Sequence, residues 1–223
     1  ITRNLDYTNN GAPTVDGWNA VSNPLPSPVL FSNLGRTNVE DSVYIFNPAV
    51  GNVAVYDAGS EISTNGGNDT IQSSQAFLVQ ATAGSASISF DQGGFFGGSQ
   101  QSTFNGVRLK LTSGLNTFSD ETVVAFGLGT PGVDGDDVPK MTFSHPDAPQ
   151  IASRVGAGHF AVNATAGYTE ALAIPIMVDA KIDGSYTVTA SSMENIGLSC
   201  LVLEDLETGT MTPLVEGASY TFT

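Results

Sequence analysis

Apolar residues recur along this chain every second position or in runs of three to five, and each run is closed by Gly, Asn, Asp or Pro. That period is the signature of half-buried strands, whose side chains alternate between two faces. Strands are predicted over 43–46, 53–56, 76–81, 86–90, 107–111, 122–126, 172–177, 186–190, 198–203 and 219–222. Few windows stay free of Gly, Pro and β-branched residues long enough to hold a helix. The expected class is all-β. Three turns predict hairpins: Ala49-Val50-Gly51-Asn52 between 43–46 and 53–56, Asp183-Gly184 between Ile182 and Tyr186, and Glu207-Thr208-Gly209-Thr210 after Leu203. Strands at such spacing suit a sandwich or jelly roll.

Length then sets the organisation. A chain of 223 residues exceeds one ordinary sandwich and suits two small domains. The glycine-rich stretch 92–102 (Gln-Gly-Gly-Phe-Phe-Gly-Gly-Ser-Gln-Gln-Ser) breaks any strand and is the expected boundary, with Phe95 and Phe96 capping a core. The expectation is two antiparallel β-sandwich domains in tandem, jelly-roll-like or immunoglobulin-like, over 1–102 and 103–223.

Seven Lys+Arg against 22 Asp+Glu give a net charge of −15. So few cations cannot neutralise phosphates, which argues against nucleic acid or an anionic membrane as partner. Only 13% of residues are charged, so Ser, Thr, Asn, Gln and Gly must cover most of the exterior, as suits an extracellular medium. No apolar run reaches the length of a membrane helix. The chain opens on Ile-Thr-Arg rather than on a charged n-region and apolar h-region, as a mature product or an excerpt would, and its close on a predicted strand favours the excerpt. The single Cys200 cannot make an internal disulfide and reads as a small buried hydrophobe.

The segment Gly17-Trp18-Asn19-Ala20-Val21-Ser22-Asn23-Pro24-Leu25-Pro26-Ser27 resembles one that recurs in large surface proteins exported by the type IX secretion system of Bacteroidota. In that family a V-Y-x-x-x-P-x-x-G hairpin and a G-Q-x-F-F-V strand follow. Their counterparts are Val43-Tyr44-Ile45-Phe46-Asn47-Pro48-Ala49-Val50-Gly51 and Gln75-Ala76-Phe77-Leu78-Val79, with Leu25 in place of an aromatic and Ser74 in place of the glycine before the Gln. The second half resembles the family's pre-terminal sandwich through Thr130-Pro131-Gly132-Val133-Asp134-Gly135-Asp136-Asp137, Ala148-Pro149-Gln150-Ile151, Gly184-Ser185-Tyr186-Thr187-Val188-Thr189, Leu203-Glu204-Asp205 with Thr208-Gly209, and Ser219-Tyr220-Thr221-Phe222. The family's final strand and sorting domain have no counterpart here. The resemblance implies a secreted surface location, in adhesins, filament or matrix components, or the non-catalytic tails of secreted enzymes.

Catalytic constellations are sparse. The chain has only His145 and His159, no G-x-S-x-G elbow, and glycine runs that lack the Lys and Ser/Thr of a phosphate loop. The expectation is no enzyme. Asp134, Asp136 and Asp137 on one turn offer oxygen ligands to calcium, though without EF-hand spacing, and a solvated acidic turn is the plainer reading. Asp41-Ser42-Val43 and Asp69-Thr70-Ile71 resemble the short O-glycosylation signal of the same bacteria, which makes Ser42 and Thr70 candidate sites.

The functional expectation is a self-associating surface or filament subunit, with self or other surface proteins and glycans as partners. The alternatives are an adhesin domain using Trp18, Tyr44 and Tyr56 as a glycan platform, or the tail of a larger secreted enzyme.

Overall fold

The computed structural model of the chain describes residues 1–11, 15–90, 104–168, 172–197 and 201–223. The fold is all-β: the described residues form twenty strands and one short 3₁₀ turn, Phe31–Asn33. The expected boundary stretch 92–102, Phe95, Phe96 and Cys200 lie outside the described residues. Two compact units are formed, Ile1–Phe46 with Val53–Ser102, and Asn47–Asn52 with Thr103–Thr223.

The first unit carries β1 (Thr2–Asn4), β2 (Trp18–Ser22), β3 (Val29–Leu30), β4 (Gly35–Thr37), β5 (Ser42–Asn47), β6 (Asn52–Asp57), β7 (Ser63–Thr64), β8 (Thr70–Ile71), β9 (Ala76–Gln80) and β10 (Ser87–Ser89). These make sheets ordered β2-β9-β5-β6-β7, β1-β10-β4 and β3-β8. One core draws on all three: Val21, Val43, Tyr56, Phe77 and Val79 from the first, Ile88 from the second, Val29 and Ile71 from the third, with Phe31, Leu34 and Phe90. The alternating runs of β5 and β9 are thus the inward faces that period two requires. The expected β5–β6 turn, whose residues Asn47–Asn52 count with the second unit, is closed by Gly51 at φ +70.

The second unit carries β11 (Gly106–Ser113), β12 (Ser119–Phe126), β13 (Val138–Pro139), β14 (Gln150–Val155), β15 (Gly158–Thr165), β16 (Ile176–Asp179), β17 (Tyr186–Glu194), β18 (Val202–Asp205), β19 (Thr210–Pro213) and β20 (Ser219–Phe222). Its main sheet runs β16-β14-β15-β12-β11-β17-β20, with β13 also on β15. Leu109, Leu111, Val124, Ile151, Tyr186 and Val188 form the core on one face, closed by Leu203 of β18 and Leu214, the residue after β19. The sheet is antiparallel except for one pair: β12 and β15 run parallel, Val123 opposite Val162. Both strands are buried over most of their length, as parallel pairs usually are.

Two local expectations are corrected. The Asp183-Gly184 hairpin does not form, because β16 pairs with β14 whereas β17 pairs with β11 and β20. Gly184 is close to extended, and the Tyr186 hydroxyl accepts from Ile182 N and donates to Ile182 O, holding the segment as a corner. The strand predicted over 172–177 starts instead at Ile176, directly after Pro175, whose missing N–H suits the position before an edge strand.

Candidate functional site

The segment at 17–27 resolves into fold-building contacts. Gly17 sits at φ +74, and a Cβ there would lie 2.2 Å from Ala81 O, so no other residue fits. Asn19 donates to Asp6 O and Gly17 O and accepts from Asp6 N, tying the N-terminal segment to β2. Trp18 is half-buried and meets the ring of Tyr44 edge-to-face at 4.7 Å. Asn23 is buried; its amide donates to Ser27 O (2.9 Å), Gln72 O (3.1 Å) and Ile71 O (3.3 Å), and its oxygen accepts from Leu25 N (3.0 Å). Gln75 closes the facing 72–75 turn by accepting from Gln72 N at 2.7 Å. Ser74, where the resembled segment has glycine, lies in the left-handed region at φ 62. Backbone geometry at that position therefore favours the glycine it lacks.

The aromatic platform is a third correction. Tyr44 and Tyr56 are buried, so only Trp18 of the three retains an accessible face. Burial raises the Tyr44 hydroxyl well above its ordinary value and pushes Tyr56 up to about 12. Both are core residues rather than a ligand shelf.

Around them lies an acidic cluster. Asp57 accepts from Ser42 Oγ (2.8 Å), Ser60 N and Ser60 Oγ (2.7 Å each), and its carboxyl is still raised, chiefly by burial. Glu40 is raised by burial and by the charges of Asp41 and Asp57. Asp41 pairs with Arg36 at 2.7 Å. Ser42, a candidate glycan acceptor, is therefore buried with its hydroxyl committed to Asp57, and a sugar on that oxygen would break the contact. Thr70 is half-buried in β8.

The acidic turn is engaged by its own backbone. Asp134 accepts from Asp136 N at 3.0 Å, and Asp137, buried, accepts from Asp134 N (3.0 Å) and Ala164 N (2.9 Å). Hydrogen bonds from Thr130 lower the Asp134 carboxyl, whereas burial raises Asp137. Asp136 is exposed. Among the described residues no group of three or more His, Cys, Asp or Glu side chains is placed to hold a metal ion. The three aspartates act here as an Asx-type turn that anchors the loop to β15.

His145 is exposed against Phe118, its Nδ1 accepting from Asp147 N at 3.2 Å, and His159 is half-buried in β15.

The remaining features lie in the second unit, beyond any motif. Asp120 on β12 and Lys140 after β13 form a buried ion pair, Nζ to Oδ1 2.6 Å, with side chains 0% and 3% exposed. The two ends of the main sheet differ. The β16 end follows Pro175 and bears the Asp179–Lys181 ion pair. The β20 end, Ser-Tyr-Thr-Phe, has neither charge nor proline and, among the described residues, is hydrogen-bonded on one side only, to β17. Beside it, the β18–β19 hairpin exposes Val202, Leu206 and Met211, and the Tyr220 hydroxyl donates to Asp205 Oδ2 at 2.5 Å, joining hairpin to edge.

No family model, curated protein or solved structure matches this chain. No helix among the described residues is long and apolar enough to cross a membrane.

Proposed function

We propose that the chain is a non-catalytic module of a bacterial cell surface, with sandwich-type layering in both units, that associates with further copies of itself through the β20 edge. The observation that carries this reading is the unguarded strand. Proteins usually blunt a sheet edge with charge, proline or a bulge, because free N–H and C=O groups template another strand. Here the β16 edge is blunted and the β20 edge is not. A strand from a second copy would hydrogen-bond to it by strand addition, and the exposed apolar hairpin beside it would enlarge the contact. The acidic exterior restricts close approach of copies to places where carboxylates are sparse.

The resemblance of the 17–27 and 43–51 segments to exported Bacteroidota surface proteins supports the extracellular location and the type IX route. Surface proteolysis of intact cells of such a host, with blotting for the chain, tests it; a product protected until lysis would refute it.

Sedimentation velocity over a wide concentration range, with and without calcium, tests association. The wild type is expected to form concentration-dependent oligomers, and the double variant Ser219→Lys/Thr221→Lys to need at least tenfold higher concentration for the same state. A wild type that stays monomeric throughout refutes the reading.

A further inference from the structure

The buried pair of Lys140 and Asp120 is placed for a reaction that needs no partner. Asp120 lies at the start of β12 and Lys140 follows β13, on the opposite side of β15, where Lys140 N donates to His159 O at 2.8 Å. The lysine side chain reaches back to set Nζ 2.6 Å from Asp120 Oδ1 and 3.2 Å from Glu121 O. The second carboxylate oxygen is held separately: Oδ2 accepts from Ile151 N at 2.8 Å. An ordinary hydrogen-bond angle at Oδ1 puts Nζ roughly 3.3 Å from Cγ, the separation of a near-attack arrangement.

We propose that Lys140 and Asp120 condense to an intramolecular amide between Nζ and Cγ, a covalent tie between the start of β12 and the segment after β13. The ammonium first passes a proton to Oδ1 along the existing hydrogen bond, leaving an amine and a carboxylic acid. The Nζ lone pair then attacks Cγ, and the carbonyl electrons move onto Oδ2, where the Ile151 N–H stands as an oxyanion donor. A second proton moves from Nζ to Oδ1, the Cγ–Oδ1 bond breaks and water leaves. Of the three ammonium protons, two depart in that water and one remains on the amide nitrogen. No oxidant, metal or co-reactant takes part.

Two physical terms favour the product. Two buried charges are replaced by a neutral amide, which removes the desolvation cost that makes interior ion pairs poor stabilisers. The reactants are held by the fold, so the step is effectively unimolecular, with the large effective concentration such positioning gives. The site is shielded, which also limits hydrolysis of the bond once made.

The test is intact mass and a tryptic map of the full chain after folding and incubation at neutral pH. The bonded protein is lighter by one water, trypsin no longer cuts after Lys140, and a single peptide 111–154 short of one water replaces peptides 111–140 and 141–154. Lys140→Met, which keeps the apolar stem and removes the nucleophile, is expected to show full mass, as is Asp120→Ala. If either variant fails to fold, the wild-type map decides alone. A wild type at full mass with complete cleavage after Lys140 overturns the proposal, as does a lost water that maps elsewhere.

Discussion

Asn23→Ala tests whether the 17–27 segment is an architectural device. The side chain satisfies three carbonyls and one amide, of Ser27, Ile71, Gln72 and Leu25, and so joins the stretch after β2 to the turn that leads into β9. Truncation leaves those groups to find other partners. Each lost bond costs about 1 kcal/mol, and up to about 2–3 where the abandoned group is shielded from water. The Ile71 contact is fully buried and the other three are partly so. The expected loss is therefore about 5–6 kcal/mol. In a unit of about a hundred residues each kcal/mol lowers the midpoint by about 4–8 °C, so the first transition should fall by at least about 20 °C. Differential scanning calorimetry measures this, with Asn68→Ala as the control, because Asn68 makes a similar turn contact to Thr70 N at an exposed position. A loss below about 0.5 kcal/mol for Asn23→Ala would refute the architectural reading of the segment.

Further tests concern single positions. Ser74→Gly should stabilise the first unit by up to about 1 kcal/mol, since the left-handed strain at φ 62 outweighs the added freedom of glycine in the unfolded chain; a lower melting temperature would contradict this. Gly17→Ala should destabilise by about 3 kcal/mol or more, or prevent folding, because its Cβ meets backbone at 2.2 Å; a soluble variant with wild-type melting would count against it. The acid response of the first unit follows from Glu40 and Asp57, whose carboxyls are raised on folding. The folded state binds protons more tightly there, so stability should rise as pH falls from neutral toward the ordinary carboxylate range, and urea midpoints that fall over that window would refute it. Calcium at millimolar concentration should leave the second unit's melting midpoint unchanged, because Asp134 and Asp137 are already occupied by backbone amides; a clear upward shift would show that the turn opens to bind it.

Where one face of a strand is buried and the other wet, period two was readable in the chain, and β5, β9, β11 and β17 lie where the alternation puts them. The β14–β15 hairpin was not expected, because Phe160-Ala161-Val162 is buried on both faces and so shows no alternation; its one local signal was Gly156, at φ +58 in the turn. The Asp183-Gly184 hairpin misled because a two-residue turn signal says nothing of whether its flanking strands find better partners elsewhere in the sheet. The aromatic platform failed for a related reason: a tyrosine on a strand reads alike whether it points to core or solvent, and Tyr44 and Tyr56 point inward. The Lys140–Asp120 pair joins β12 to the residue after β13, two strands that each pair with β15, a relation no local pattern encodes.

The side chains that sequence patterns single out are consumed by the fold: Asn19 and Asn23 bind backbone, Ser42 binds Asp57, and Asp137 binds Ala164. What remains to meet a partner is the part of the surface without a motif. A chain with a net charge of −15 repels its own copies over most of its exterior, and that repulsion is screened beyond about 8–10 Å at physiological salt. Contact between copies is then governed by the few neutral places, of which β20 and the neighbouring Val202, Leu206 and Met211 are one. Association through this edge should therefore strengthen as salt rises, until screening is complete. Sedimentation velocity in low and in molar sodium chloride checks this: oligomers that dissolve with added salt would mean that ion pairs, and not an unguarded strand, hold the copies together.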